Sequence, residues 1–62
     1  MAKYYRSNPY LGIYYEIPPK VALRKIYSKY WMPVWDEYSQ TYSTTAYYNM
    51  RDAGRDYIFI EQ

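Results

Sequence analysis

Tyrosine is the commonest residue in this chain. There are twelve among 62 residues, against only ten Val, Ile, Leu and Phe taken together. A tyrosine ring buries well, but its hydroxyl needs a partner or water, so a core built on tyrosine tends to keep one edge wet. Ten aliphatic or Phe side chains fall well short of offsetting the entropy of ordering a chain this long. Tyr, Trp and Met must therefore supply much of the buried surface. Chains this short usually lean on a staple or a partner as well, and the staples are missing. There is no Cys for a disulfide or thiolate site, and no His, the commonest metal ligand and general base. Oligomerisation or docking is the remaining source of stability, so the chain is expected not to be an independent compact domain. Fifteen aromatic residues and a net charge of only +2 argue against disorder.

Along its length the chain reads as one unit, 1–62, in three parts. Residues 1–18 lack helical period and carry Asn8-Pro9, Gly12 and Pro18-Pro19; they are expected to form an extended arm with a turn near Asn8–Gly12. Pro19 suits a first helical position. Leu23, Ile26, Tyr27, Tyr30 and Trp31 then recur at helical spacing, with Lys20, Arg24, Lys25 and Lys29 off that face. This predicts a helix over about 19–31, ended by Pro33. A second helix is predicted over about 34–53, from the spacing of Trp35, Tyr38, Tyr42 and Ala46, acidic Asp36 and Glu37 at its start, Arg51 near its end and Gly54 as terminator. The run Ser39–Thr45 has a fair strand propensity instead, which leaves 39–48 open between helix and strand. Residues 54–62 form a tail whose Tyr57-Ile58-Phe59-Ile60 is either a short strand or a docked segment. The expected fold class is thus mainly α: two short helices around a proline kink, flanked by extended N- and C-terminal arms.

The chemistry available to such a chain is thin. Asp36 and Glu37 are adjacent and would diverge on a helix; Asp52 and Asp56 are separated by Gly54; Gly12 and Gly54 stand alone, so no phosphate-binding loop is present. The expectation is a non-enzymatic chain with no catalytic, cofactor or metal site. Two residue sets point to binding. Tyr10, Tyr14, Tyr15, Tyr27, Tyr30, Trp31, Trp35, Tyr57 and Phe59 are candidate partner contacts, because Tyr and Trp are enriched at protein interfaces and hot spots. Lys20, Arg24, Lys25 and Lys29 are candidate contacts to an anionic surface.

The function expected from these sets is structural: a small accessory subunit that docks on and bridges other protein subunits of a large multiprotein complex. The stretch Tyr27–Trp35 has the aromatic and lysine composition favoured at lipid headgroups. It suggests a membrane-associated setting, such as a respiratory or other energy-converting complex of the mitochondrial inner membrane. No run is long enough to span a bilayer, and no secretory signal is apparent at the start. The alternative expectation is a nucleic-acid-associated peptide, such as a peripheral ribosomal or packaging component, with rings stacking on bases and cations on phosphates. A third is a Tyr-rich binding domain of the kind that rigid Tyr contacts suit.

Overall fold

A computed structural model describes all 62 residues. Strands β1 (Lys3–Asn8) and β2 (Ile13–Ile17) form an antiparallel hairpin with Tyr4 opposite Ile17 and Asn8 opposite Ile13. Its turn follows from Asn8-Pro9-Tyr10-Leu11-Gly12. The Asn8 side chain and carbonyl both accept from the Leu11 N–H at 3.1 Å. Proline presets the first turn residue, and Gly12 takes the left-handed conformation at φ 72°. The turn lies where the sequence predicts it. The arm does not lie free, because the residues on either side of the turn pair with each other.

Helix α1 (Pro19–Ile26) begins with proline in its first turn, as expected, but it is only eight residues long. Ser28 ends it: its N–H and its hydroxyl both donate to the Lys25 carbonyl, at 2.9 and 2.7 Å. The predicted continuation to residue 31 is therefore wrong. Residues 27–30 are a turn, and Trp31 opens a strand. The helix buries Ala22 and Ile26, with Leu23 partly covered, rather than the stripe running on through Tyr27 and Tyr30.

The predicted second helix is absent. Its residues fall in the second half of β3 (Trp31–Asp36), in β4 (Thr41–Asn49) and in the turns around them; the two strands are antiparallel, with Trp31 opposite Asn49 and Trp35 opposite Tyr42. Threonine, tyrosine and tryptophan fit a pleated, half-buried surface better than a helix, and that preference prevails over the approximate helical spacing. Pro33 is accommodated because β3 is an edge strand, where one side of the backbone needs no donor. Asp36 closes the strand rather than opening a helix: its carboxylate accepts from the Tyr38 N–H at 2.9 Å, and the four-residue loop ends on Gln40 at φ 58°. A single 3₁₀ turn (Met50–Asp52) follows β4, and Gly54, at φ 83°, supplies the left-handed residue of the turn closed by Arg55 N–H to the Asp52 carbonyl.

The tail is the strand that joins the two halves. β5 (Tyr57–Glu61) lies between β1 and β4 in a five-stranded, all-antiparallel sheet of order β2-β1-β5-β4-β3. Alternating directions make the two outer strands, β2 and β3, parallel, so the chain between them must return across the sheet. The outer strands sit about 19 Å apart. Eight helical residues cover about 12 Å of that, and the 27–30 turn covers the rest. The helix thus roofs one face only. Beneath it lie Ile17, Trp31 and Ile58, with Tyr4, Tyr47 and Ile60 at the margin. The fold is mainly β and not mainly α. It is also compact: its Cα radius of gyration is 11.2 Å, close to the ~10.6 Å of a folded chain this long.

This core makes a sharp stability test. Ile58→Ala, at the only fully enclosed large side chain, is expected to cost about 2–5 kcal/mol in urea unfolding. Tyr27→Ala is expected to be close to neutral, because that ring is 82% exposed; a large loss there would revive the longer helix.

Candidate functional site

Strand alternation sorts every sheet side chain to one of two faces. The three tyrosine doublets each straddle the sheet. Tyr4 and Tyr47 lie on the helix side, opposite Ile60 and Ile58, and Tyr15 lies on that side opposite Arg6, while Tyr5, Tyr14 and Tyr48 lie on the other side. There they meet Tyr57 and Phe59 from β5. The rings form a row across four strands. Tyr14 stacks on Tyr5 with centroids 5.0 Å apart, Tyr5 is paired directly with Phe59, Phe59 stacks on Tyr57 at 5.9 Å, and Tyr57 meets Tyr48 at 6.4 Å. Helix α1 packs on the opposite face, over the core. Tyr14 is 61% exposed and the others are half-buried by one another.

Charge at the border of the row is mixed. Glu16 sits opposite Tyr5, and Lys3 sits opposite Glu61. The Tyr5 phenol is pushed up from its usual value of 10, first by burial, then by the Glu61 carboxylate, with Lys3 opposing. A raised phenol favours the neutral ring in the fold. Its contribution to stability is complete below pH 10 and is lost as the pH climbs through the folded-state value. In an ultraviolet titration, Tyr5→Phe is expected to remove a late-ionising phenol and to flatten the alkaline loss of stability. An unchanged titration would place Tyr5 in an ordinary solvated setting.

The sequence candidates separate in space. Tyr14, Tyr57 and Phe59 come together in the row. Tyr5 and Tyr48, which complete it, are not among the sequence candidates; the signal for them is the doublet itself, since adjacent strand residues must face opposite ways. Tyr10 lies in the β1–β2 turn under the Arg55 guanidinium, 4.4 Å from the ring centroid. Tyr15 is on the helix side, exposed and opposite Arg6. Tyr27 projects from the turn after α1. Tyr30 carries Arg51 over its ring at 4.1 Å, and Trp35 meets Tyr42 edge-on at 4.9 Å, half-exposed at the far end of the β3–β4 hairpin. Trp31 is a core residue, 8% exposed. Of the cations, Lys20 and Arg24 are exposed on α1, Lys25 is half-buried there, and Lys29 lies in the following turn; none forms an ion pair.

The single ion pair lies elsewhere. Arg6 Nε and Nη2 donate to the two Asp56 carboxylate oxygens at 2.9 and 2.8 Å, which ties β1 to the start of β5. The hydrogen bonds to Asp56 push the Arg6 pKa up further, against the opposing effect of burial. The pair forms one wall of a polar recess of about 470 Å³ shared with Asn8, Tyr15, Asp52 and Arg55. Two Arg and two Asp balance there, and the best-placed groups are spent on each other. No three acidic side chains converge as a metal site. Asp56 is the more enclosed partner, with 13% of its side chain exposed against 32% for Arg6. Arg6→Ala, which leaves that carboxylate only the long 3.5 Å contact from Asn49 Nδ2, is expected to cost about 1–3 kcal/mol in urea unfolding. Asp56→Ala is expected to cost less, because the freed guanidinium can reach water; the reverse order would contradict the assigned burial.

No helix is long and apolar enough to cross a membrane. Comparison with known proteins finds no counterpart: no family model matches the chain, and no curated protein or solved structure does.

Proposed function

We propose that this chain is a non-enzymatic binding module that docks on another protein through the open aromatic face of its sheet, as a small subunit of a larger assembly. The observation that carries the reading is the row Tyr14–Tyr5–Phe59–Tyr57–Tyr48, a band of rings in contact across four strands, with Tyr14 exposed and the other four partly exposed. Rigid rings lose little freedom on docking, and tyrosine and phenylalanine are enriched at interface cores.

The arrangement of charge favours a protein over a nucleic acid as partner. Single-strand binding needs rings and cations along the same groove, so that bases stack while phosphates are neutralised. Here Glu16 and Glu61 border the rings, with Lys3 as the counter-charge. Lys20, Arg24 and Lys25 belong to α1, on the opposite face of the sheet. One strand of nucleic acid cannot engage both sets. An apolar or aromatic patch on a protein can engage the row alone, and the helix cations are then free to meet an acidic surface or anionic headgroups on the far side.

The test strips each set separately. Tyr5→Thr with Phe59→Thr removes the middle of the row while keeping residues that suit a strand. Lys20→Ser, Arg24→Ser, Lys25→Ser and Lys29→Ser remove the cations. Each folded variant is compared with the wild type for the macromolecules that co-purify from its native source at two salt concentrations. Loss of a protein partner by the aromatic variant alone, with little effect of salt, is the expected result. Retention of that partner by the aromatic variant, or recovery of nucleic acid with a steep salt dependence carried by the basic residues, would overturn the reading.

A further inference from the structure

The two outer strands of the sheet are finished differently. The β3 edge is blunted by Pro33 and by the break in register between Pro33 and Trp35, devices that hinder another strand from pairing. The β2 edge carries neither. It has no proline, lysine or bulge; residues 13–16 are all exposed; and β1 is its sole strand partner. No turn, loop or side chain of the protein bonds to the backbone of residues 13–17 on its outer side.

We propose that β2 is a self-association edge, pairing antiparallel with β2 of a second copy about a twofold axis through Tyr15. The segment Ile13-Tyr14-Tyr15-Glu16-Ile17 is self-complementary in this register. Ile13 falls opposite Ile17 of the second copy, Tyr15 opposite Tyr15, and Tyr14 opposite Glu16, each pair on a single face because direct partners in an antiparallel pair point the same way. The phenol of Tyr14 can donate to the Glu16 carboxylate across the seam. Sliding the register so that Glu16 meets Glu16 sets like charges face to face, which destabilises a pair. Sliding it the other way sets Glu16 against Gly12 and forfeits the isoleucine pairs. The charge and apolar pattern of this edge thus selects one register, and its best-matched partner is itself. The Ile13, Tyr14 and Tyr15 side chains, 42%, 61% and 48% exposed in the single chain, would be covered by the seam. A twofold axis normal to the sheet keeps both helices on one side and joins the two aromatic rows on the other. The inference goes beyond the docking reading and does not depend on it.

Sedimentation equilibrium on the full chain tests this with charge at position 14. Tyr14→Glu places a carboxylate opposite Glu16 twice in the dimer; Tyr14→Lys places an ammonium there twice. Both lose the same stack on Tyr5, and each also changes the charge beside Glu16 on the same face of its own strand, so urea unfolding of each variant is measured beside its dimerisation. Dimer dissociation constants at least about tenfold apart, with the lysine variant tighter, are expected. Combining Tyr14→Glu with Glu16→Lys should restore the dimer. Far-UV circular dichroism confirms folding of each variant. A monomeric wild type at every accessible concentration overturns the proposal, as does a dimer that responds equally to both substitutions or is not restored by the combined one. Loss of the dimer with Tyr5→Thr and Phe59→Thr, but not with the position-14 variants, would assign self-association to the ring face instead.

Discussion

Strand β5 pairs with β1 on one side and β4 on the other, and these are the only ladders that join the N-terminal hairpin to the β3–β4 hairpin. The rest of the architecture depends on that insertion. Ile58 fills the centre of the core from this strand, Tyr57 and Phe59 bridge the rings of β1 and β4 on the other face, and Asp56 meets Arg6 at its mouth. An antiparallel strand held on both sides has its backbone groups satisfied by neighbours, which is what allows its side chains to be divided so cleanly between a dry face and an open one.

The scarcity of aliphatic residues explains why the second face remains open. A single eight-residue helix and a handful of isoleucines suffice to roof one side of the sheet. There is no second apolar helix to roof the other. Tyrosine and phenylalanine stabilise that face laterally instead, by cross-strand contact between rings, a mode that tolerates water along the outer ring surface. The same composition therefore supplies structural cohesion within the sheet and a surface suited to a partner.

Local signals in the sequence were legible where one residue dictates its own geometry. Asn8-Pro9 and Gly12 marked the first turn, and Pro19 marked the helix start. Longer patterns misled. The spacing of Trp35, Tyr38, Tyr42 and Ala46 suits a helix, yet Tyr42, Ala46 and Tyr48 equally suit alternation, and a run of Ser, Thr and Tyr settles the matter only when a neighbouring strand is present. Trp31 looked like the end of a helical stripe because nothing in its vicinity reports the Ser28 hydroxyl taking the Lys25 carbonyl. For the candidate surface, Tyr14, Tyr57 and Phe59 could be picked out by type, but their union with Tyr5 and Tyr48 depends on pairing between residues some fifty positions apart, as with Tyr5 and Phe59. Local propensity carries no such information. The doublets were the one available hint, and they acquire meaning only once their segments are known to be strands.

The position of β5 also bears on how the molecule comes into being. A ribosome delivers the chain from its N-terminus, at roughly 5–20 residues per second. The first hairpin emerges early, yet the flank of β1 destined for β5 stays unclaimed until Tyr57–Glu61 has been made, an interval on the order of several seconds. Until then both flanks of that hairpin lack a partner strand, and an isolated two-stranded hairpin is marginally stable at best. β5 follows in the chain both of the strands it lies between, and a polypeptide that stops short of it has two hairpins with no ladder to join them.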